Sequence, residues 1–327
     1  MQTSRQVITN AIEFSMPDRL PVISPCKEES DVQWVKWNYF SPFFDNQTKI
    51  AYDDWKCGWQ KSEVANMGLV TEHPLLDWAA YDTYEFPNPD EDRFYEGMEE
   101  KFAQSGDKYV TTSIFMLLFE RLHSLRGFEN TLADLYLEPE KLGELADRIV
   151  DFNIAIIENI ARRFPDKVHA LDATDDWGTE IDLFISPGMW REFFKPRYKK
   201  IFDACHKVGW HVWMHSCGKV DSIILDLAEI GLDVINLQQP AVFDIEEVGK
   251  RCAGKICFET LCDIQCTLPT NDEEKIDKEA KRIIDNWGTD KGGLIFSHYS
   301  DYVGINVGQE TQRKMHAAFL RHDRWKK

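Results

Sequence analysis

Apolar positions along this chain switch between two periods. Runs spaced three and four apart lie near 91–105, 138–164, 187–208, 219–230, 243–252, 271–288 and 308–322, and predict helices. Short β-branched and aromatic runs separate them: Tyr109–Phe115, Lys167–Ala173, His211–His215, Asp233–Leu237, Lys255–Phe258 and Gly293–Ser297. Strands of four to seven residues alternating with longer helices predict a parallel sheet with crossover helices. Residues 3–15 carry helical spacing at Val7, Ile8, Ala11 and Ile12, and Pro21–Pro25 reads as a first strand. That makes seven strands, with the eighth expected in 51–70 or 114–119. No glycine-rich phosphate loop follows any of them, which removes the main support for an open nucleotide-binding sheet. The expected fold is a single (β/α)8 TIM-type barrel over residues 1–327. Residues 28–90 form an irregular, aromatic-rich insertion over its mouth, with a hairpin near Asp54-Trp-Lys-Cys-Gly-Trp59.

Composition narrows the function. Hydrophobic residues make up 43% of 327, enough for a large core. Net charge is −18, which disfavours nucleic acid and anionic membranes as partners. No apolar run approaches a membrane span, and the first residues lack a signal-peptide core, so a cytoplasmic location is expected. The eight cysteines are then expected to be reduced.

A barrel places its chemistry at the C-terminal ends of its strands. The strongest signal there is Trp213-Met-His-Ser-Cys-Gly218. His215 and Cys217 stand two apart, so both side chains reach one point above the barrel, and an imidazole with a thiolate suits zinc. A catalytic zinc needs about three protein ligands. His298, at the end of the last strand, ranks first for the third place, and Cys262 second. Asp175 and Asp176, after the Lys167–Ala173 strand, are candidates for acid–base work, with Asp175 the better candidate for a helix cap. Glu120 is a further candidate acid, and Glu120 with Arg121 reads either as an ion pair or as a substrate clamp. Arg121, Trp177, Trp213, Gln238, Glu259 and Tyr299 complete the expected substrate wall.

Several stretches together resemble the superfamily of uroporphyrinogen decarboxylase and the cobalamin-related methyltransferases. They are Pro17-Asp-Arg-Leu-Pro-Val22, His73-Pro-Leu-Leu-Asp-Trp78, Glu120-Arg-Leu-His-Ser-Leu-Arg-Gly127, Asp175-Asp-Trp-Gly178 with Ile185–Tyr198, and His211–Gly218. The resemblance implies a (β/α)8 barrel. True decarboxylases of this family carry an arginine-rich Arg-Gln-Ala-Gly-Arg-Tyr stretch after the first strand, where this chain has Pro25-Cys-Lys-Glu-Glu-Ser-Asp31. The methyltransferase branch resembles the chain at His215-Ser-Cys217, and implies zinc plus a corrinoid carried by a partner protein. Its later zinc-binding cysteine has no counterpart in Phe296-Ser-His-Tyr-Ser-Asp-Tyr302. The expected function is zinc-assisted methyl transfer between that corrinoid protein and a small thiol or methoxylated substrate. The alternatives are a carboxy-lyase acting on another substrate, or a non-catalytic barrel that binds a corrinoid or tetrapyrrole.

Overall fold

The computed structural model describes residues 1–38, 50–61, 68–302 and 304–326. Eight strands form one parallel sheet rolled into a nearly closed barrel: β1 (Val22–Ile23), β2 (Val32–Trp34), β6 (Tyr109–Ile114), β7 (Ala170–Thr174), β8 (His211–His215), β9 (Val234–Leu237), β10 (Cys257–Thr260) and β11 (Leu294–Ser297). A separate antiparallel meander holds β3 (Ile50–Tyr52), β4 (Gly58–Gln60) and β5 (Leu69–Glu72). The eighth barrel strand is therefore β2, not a segment of 51–70 or 114–119. It lies at the start of the stretch read as an insertion, and three residues are too few to show alternation.

Helix α1 (Ser4–Ile12) opens on a capping box between Thr3 and Gln6. Its Ile8, Ala11 and Ile12 pack into the barrel's inner cluster with Ile23, Val32, Tyr109, Ala170, Trp213, Val234, Cys257 and Ile295, at least one from each strand. The helix thus plugs the N-terminal end and leaves the other end for chemistry. Helices α2 (Met98–Phe102), α3 (Phe119–Arg126), α4 (Phe128–Leu137) and α5 (Pro139–Arg163) precede β7. α6 (Pro187–Met189) runs through a π turn at Trp190–Phe194 into α7 (Lys195–Lys207). Pro196 has no N–H, and Lys195 N–H instead reaches back five residues to the carbonyl of Trp190. α8 (Ile224–Glu229), α9 (Ile245–Cys252), α10 (Glu273–Trp287) and α11 (Gln309–Arg321) follow the later strands.

Parallel ladders join every neighbouring strand except β1 and β2, and Asp31 spans that gap. Its N–H donates to the Val22 carbonyl at 2.8 Å, and its carboxylate accepts the Val22 N–H at 2.9 Å. Arg19 grips both carboxylate oxygens at 2.6 Å, and Ser4 Oγ donates at 2.7 Å. A side chain therefore supplies the pairing that two short strands do not.

The hairpin expected near Asp54 forms, with β3 and β4 antiparallel across the turn. It docks through a buried ion pair: Arg121 Nη1 lies 2.8 Å from Asp53 Oδ2, with both side chains 2% exposed. Residues 39–49 and 62–67 of the expected mouth-covering segment lie outside the described residues. No helix is long and apolar enough to cross a membrane among the described residues. All eight cysteines are free thiols.

Candidate metal-binding active site

Strand parity selects which side chains meet inside the barrel. On β8 the inner positions are His211, Trp213 and His215, and the same parity continues to Cys217. On β7 they are Ala170, Asp172 and Thr174, continuing to Asp176. Register aligns Thr174, His215, Asn236 and Glu259 in one row across β7 to β10, with Asp172 and Trp213 in the row beneath.

At the top of this lumen, ligand atoms of Asp176, His215 and Cys217 lie within 4.8 Å of one another. His215 Nε2 is 3.2 Å from Cys217 Sγ and 3.6 Å from Asp176 Oδ1. The other ring nitrogen, Nδ1, is 2.5 Å from Asn236 Oδ1. A carbonyl oxygen accepts there, so Nδ1 carries the proton and Nε2 presents a lone pair to the cluster. Asp176 Oδ1 also accepts the Cys217 N–H at 2.8 Å, tying the two loops together. Two glycines allow that approach. A Cβ on Gly218, where φ is +78°, would lie 2.2 Å from the Gly178 carbonyl oxygen, and one on Gly178 would lie 2.6 Å from Lys219 N. Gln239 Oε1 holds the turn by accepting Gly218 N–H at 2.8 Å.

Electrostatics favour a cation at this point. Burial pushes the Cys217 thiol well up, and the nearby Asp176 and Glu120 carboxylates push it further. Burial and the two neighbouring aspartates also drive Glu120 far above the usual carboxylate range, and Thr174 Oγ1 donates to it at 3.3 Å. One imidazole nitrogen, one sulfur and one carboxylate oxygen form a borderline-soft donor set of the kind zinc takes, with room for a fourth ligand. The residues present therefore fit such an ion. Tyr299 faces the cluster; burial raises its phenol pKa, and Cys217, Asp301 and Asp176 add to that.

Several expected members belong elsewhere. His298 Nε2 sits 2.9 Å from His316 Nδ1 on α11, away from the cluster, and burial lowers its pKa to about 4. The third residue that lies close enough to His215 and Cys217 to share an ion is instead Asp176. Cys262 is fully buried, its thiol directed at the Ile276 carbonyl. Asp175 accepts backbone N–H groups of Leu118, Phe119 and Glu120, and the Tyr198 hydroxyl at 2.5 Å. It caps α3 from across the barrel wall, and burial raises its carboxyl to about 6. Arg121 pairs with Asp53 rather than Glu120 and is buried, so it clamps the hairpin and not a substrate. Trp177 is fully buried, stacked on Phe119 at 4.2 Å with its indole N–H on Tyr198.

Trp213 and Glu259 stay in the lumen, joined at 2.7 Å through the indole N–H. Gln238 is half-buried at the end of β9. Sequence reasoning passed over Asn236, Asp172 and Trp34. Asp172 and Asn236 share inner parity with Asp176 and Gln238, which it did select, and that parity was the available signal; Trp34 lies on β2, which the sequence did not reveal.

Comparison with known proteins places this geometry in a family. Two uroporphyrinogen decarboxylases, from two strains of Bacillus cereus, are each 25% identical over 172 residues, 53% of this chain and 45% of theirs. The match thus spans about half the length of those relatives. A methyltransferase from Methanosarcina mazei superposes with a TM-score of 0.68 over 98% of both chains at 13% identity, which is a likeness of fold. The family model for uroporphyrinogen decarboxylase (URO-D) matches residues 110–312, from β6 into α11. With well over half its length inside that match, the chain belongs to the uroporphyrinogen decarboxylase (URO-D) family.

Proposed function

We propose that this protein is a zinc-assisted methyltransferase that works between a corrinoid carried by a partner protein and a small thiol or methoxylated substrate. The observation that carries the reading is the convergence of Asp176, His215 and Cys217 at the C-terminal mouth of the barrel. These three residues would hold the ion. A bound zinc supplies Lewis acidity, which polarises a substrate heteroatom and favours its deprotonated form.

The chain's own residues do the rest. Asn236 fixes the His215 tautomer that offers Nε2. Asp176 fixes the loop that carries Cys217. Glu120, whose carboxyl burial and its acidic neighbours push up, is placed to hold or pass a proton beside the site. The fold likeness to a methyltransferase agrees with this reading.

The curated relatives favour a carboxy-lyase as the second reading. An acidic lumen opposes it for a polyanionic porphyrinogen, because Asp172 and Asp176 would repel the carboxylates.

The test couples activity to metal and to pH. Purified protein should transfer a methyl group from a methyl-corrinoid donor to one member of a panel of thiols, or demethylate a methoxylated aromatic. Chelation should abolish either activity, and zinc should restore it. Because the free thiol of Cys217 is protonated at neutral pH, binding must release its proton. Apparent zinc affinity, measured by competition with a chromophoric chelator, should rise about tenfold per pH unit between pH 6 and 8. A pH-independent affinity, or full activity without metal, contradicts the proposal.

A further inference from the structure

Three buried carboxylates elsewhere in this protein are neutralised by arginine. Asp31 is paired with Arg19, Asp53 with Arg121 and Asp134 with Arg126. The lumen below the candidate metal ligands differs. Asp172 and Glu259 point into it from β7 and β10, and among the described residues neither forms a salt bridge with Lys or Arg, although the Lys36 charge acts on Asp172 from further off. Asp172 accepts the Trp34 indole N–H at 2.8 Å, and Glu259 accepts that of Trp213 at 2.7 Å. Indole donors orient the carboxylates without cancelling their charge.

A third polar group points the same way. Thr111 shares inner parity with Tyr109 on β6 and is paired in register with Trp34. Its hydroxyl is buried, with the residue 1% exposed, and hydrogen bonds to nothing among the described residues. Buried polar groups left without partners are uncommon, and a ligand in the lumen would give this hydroxyl one.

We infer that this lumen recognises a positively charged end of the substrate, an alkylammonium group, while the substrate's reacting atom lies at Asp176, His215 and Cys217. The inference rests on the proposed function, since it places the reacting atom at that cluster. Charge favours a cation: burial raises the Asp172 carboxyl to about 6 and, with the Asp172 charge, the Glu259 carboxyl to about 7, and a cationic group between them would offset both effects. Shape favours an organic one. Among the described residues, Asp172 and Glu259 join no group of ligand atoms close enough to hold a metal ion. The walls are aromatic: Trp34 is 36% exposed, and Trp213 lines the floor. Indole faces attract alkylammonium groups, whose charge is spread over several methyl or methylene surfaces.

Choline and its uncharged isostere 3,3-dimethylbutan-1-ol separate charge from shape, and acetate supplies the opposite sign. Isothermal titration of the full-length, zinc-loaded protein should show choline binding at least tenfold tighter than the isostere, with no acetate binding in the same range. Asp172→Asn and Glu259→Gln should each weaken choline at least tenfold while zinc content stays unchanged, since neither residue belongs to the metal cluster. Should either variant fail to fold, the three-probe ranking on the unsubstituted protein still decides. Equal binding of choline and its isostere, tighter binding of acetate, or unaltered choline binding in both folded variants overturns the inference. Zinc content is read in the same samples. Loss of choline selectivity with zinc retained sinks this inference alone, whereas absence of zinc sinks the metal-site reading beneath it.

Discussion

Cys217→Ser protein is expected to lose at least nine-tenths of its zinc after dialysis and, with it, methyl transfer. Serine keeps the backbone N–H that Asp176 accepts, so the two loops stay tied. What disappears is the only sulfur in the ligand group, leaving His215 and Asp176. Two protein ligands hold zinc poorly, because a catalytic site ordinarily uses three. The thiol is half-buried, so the substitution should change stability by less than about 1 kcal/mol, within the range typical of such positions. Metal analysis beside a melting curve distinguishes the outcomes. Full metal content with unchanged activity would make Cys217 a packing residue.

Asp31→Ala is expected to cause the largest loss of stability of any single polar substitution in the barrel wall. Three groups lose their acceptor at once, through four hydrogen bonds: Arg19 through two, Ser4, and the Val22 N–H on β1. Arg19 is one-third exposed and can turn to water, which limits its share of the cost. The Val22 N–H is buried and cannot. The combined loss should be about 3 kcal/mol, in the range seen when one partner of a buried charged network is removed. The melting temperature should fall by roughly 5–10 °C for a chain of this size. Asp31→Asn keeps an acceptor for Val22 and should recover part of the loss. A melting temperature within 1 °C of the parent would show that the β1–β2 gap needs no clasp.

Both residues also show what the sequence made legible. Strands β6 to β11 alternate clearly enough to be read, and helices α5, α7, α9, α10 and α11 carry long apolar stripes. β2 was hidden because three residues cannot show a period, and because its pairing depends on Asp31, a contact that forms only in three dimensions. α3 and α4 were missed for a different reason. Phe119–Leu137 buries Arg121, Ser124, Arg126, Thr131 and Asp134 beside its leucines, so no apolar stripe stands out.

The candidate site was half legible. His215 and Cys217 were found because both stand at inner parity on one strand and its extension. His298 was taken from its imidazole, which suits zinc, and from its place at the end of the last strand. Ser297 is the inner residue of β11 and His298 the outer, which turns its ring toward His316 on α11. The same count on β7 separates Asp176, inner, from Asp175, outer. Carried through every strand, parity would also have selected Asp172 and Asn236. The indole bridges to Asp172 and Glu259 join different strands and have no signature in a linear pattern.

The most direct test of the account is X-ray absorption spectroscopy at the zinc edge on protein loaded with one equivalent of the metal. The account predicts one sulfur neighbour, from Cys217, with the remaining neighbours nitrogen or oxygen, including His215 and Asp176. In Cys217→Ser protein reloaded with zinc, the sulfur signal should vanish. Two sulfur neighbours, an all-oxygen-and-nitrogen shell in the unsubstituted protein, or a sulfur signal that survives the substitution would contradict it.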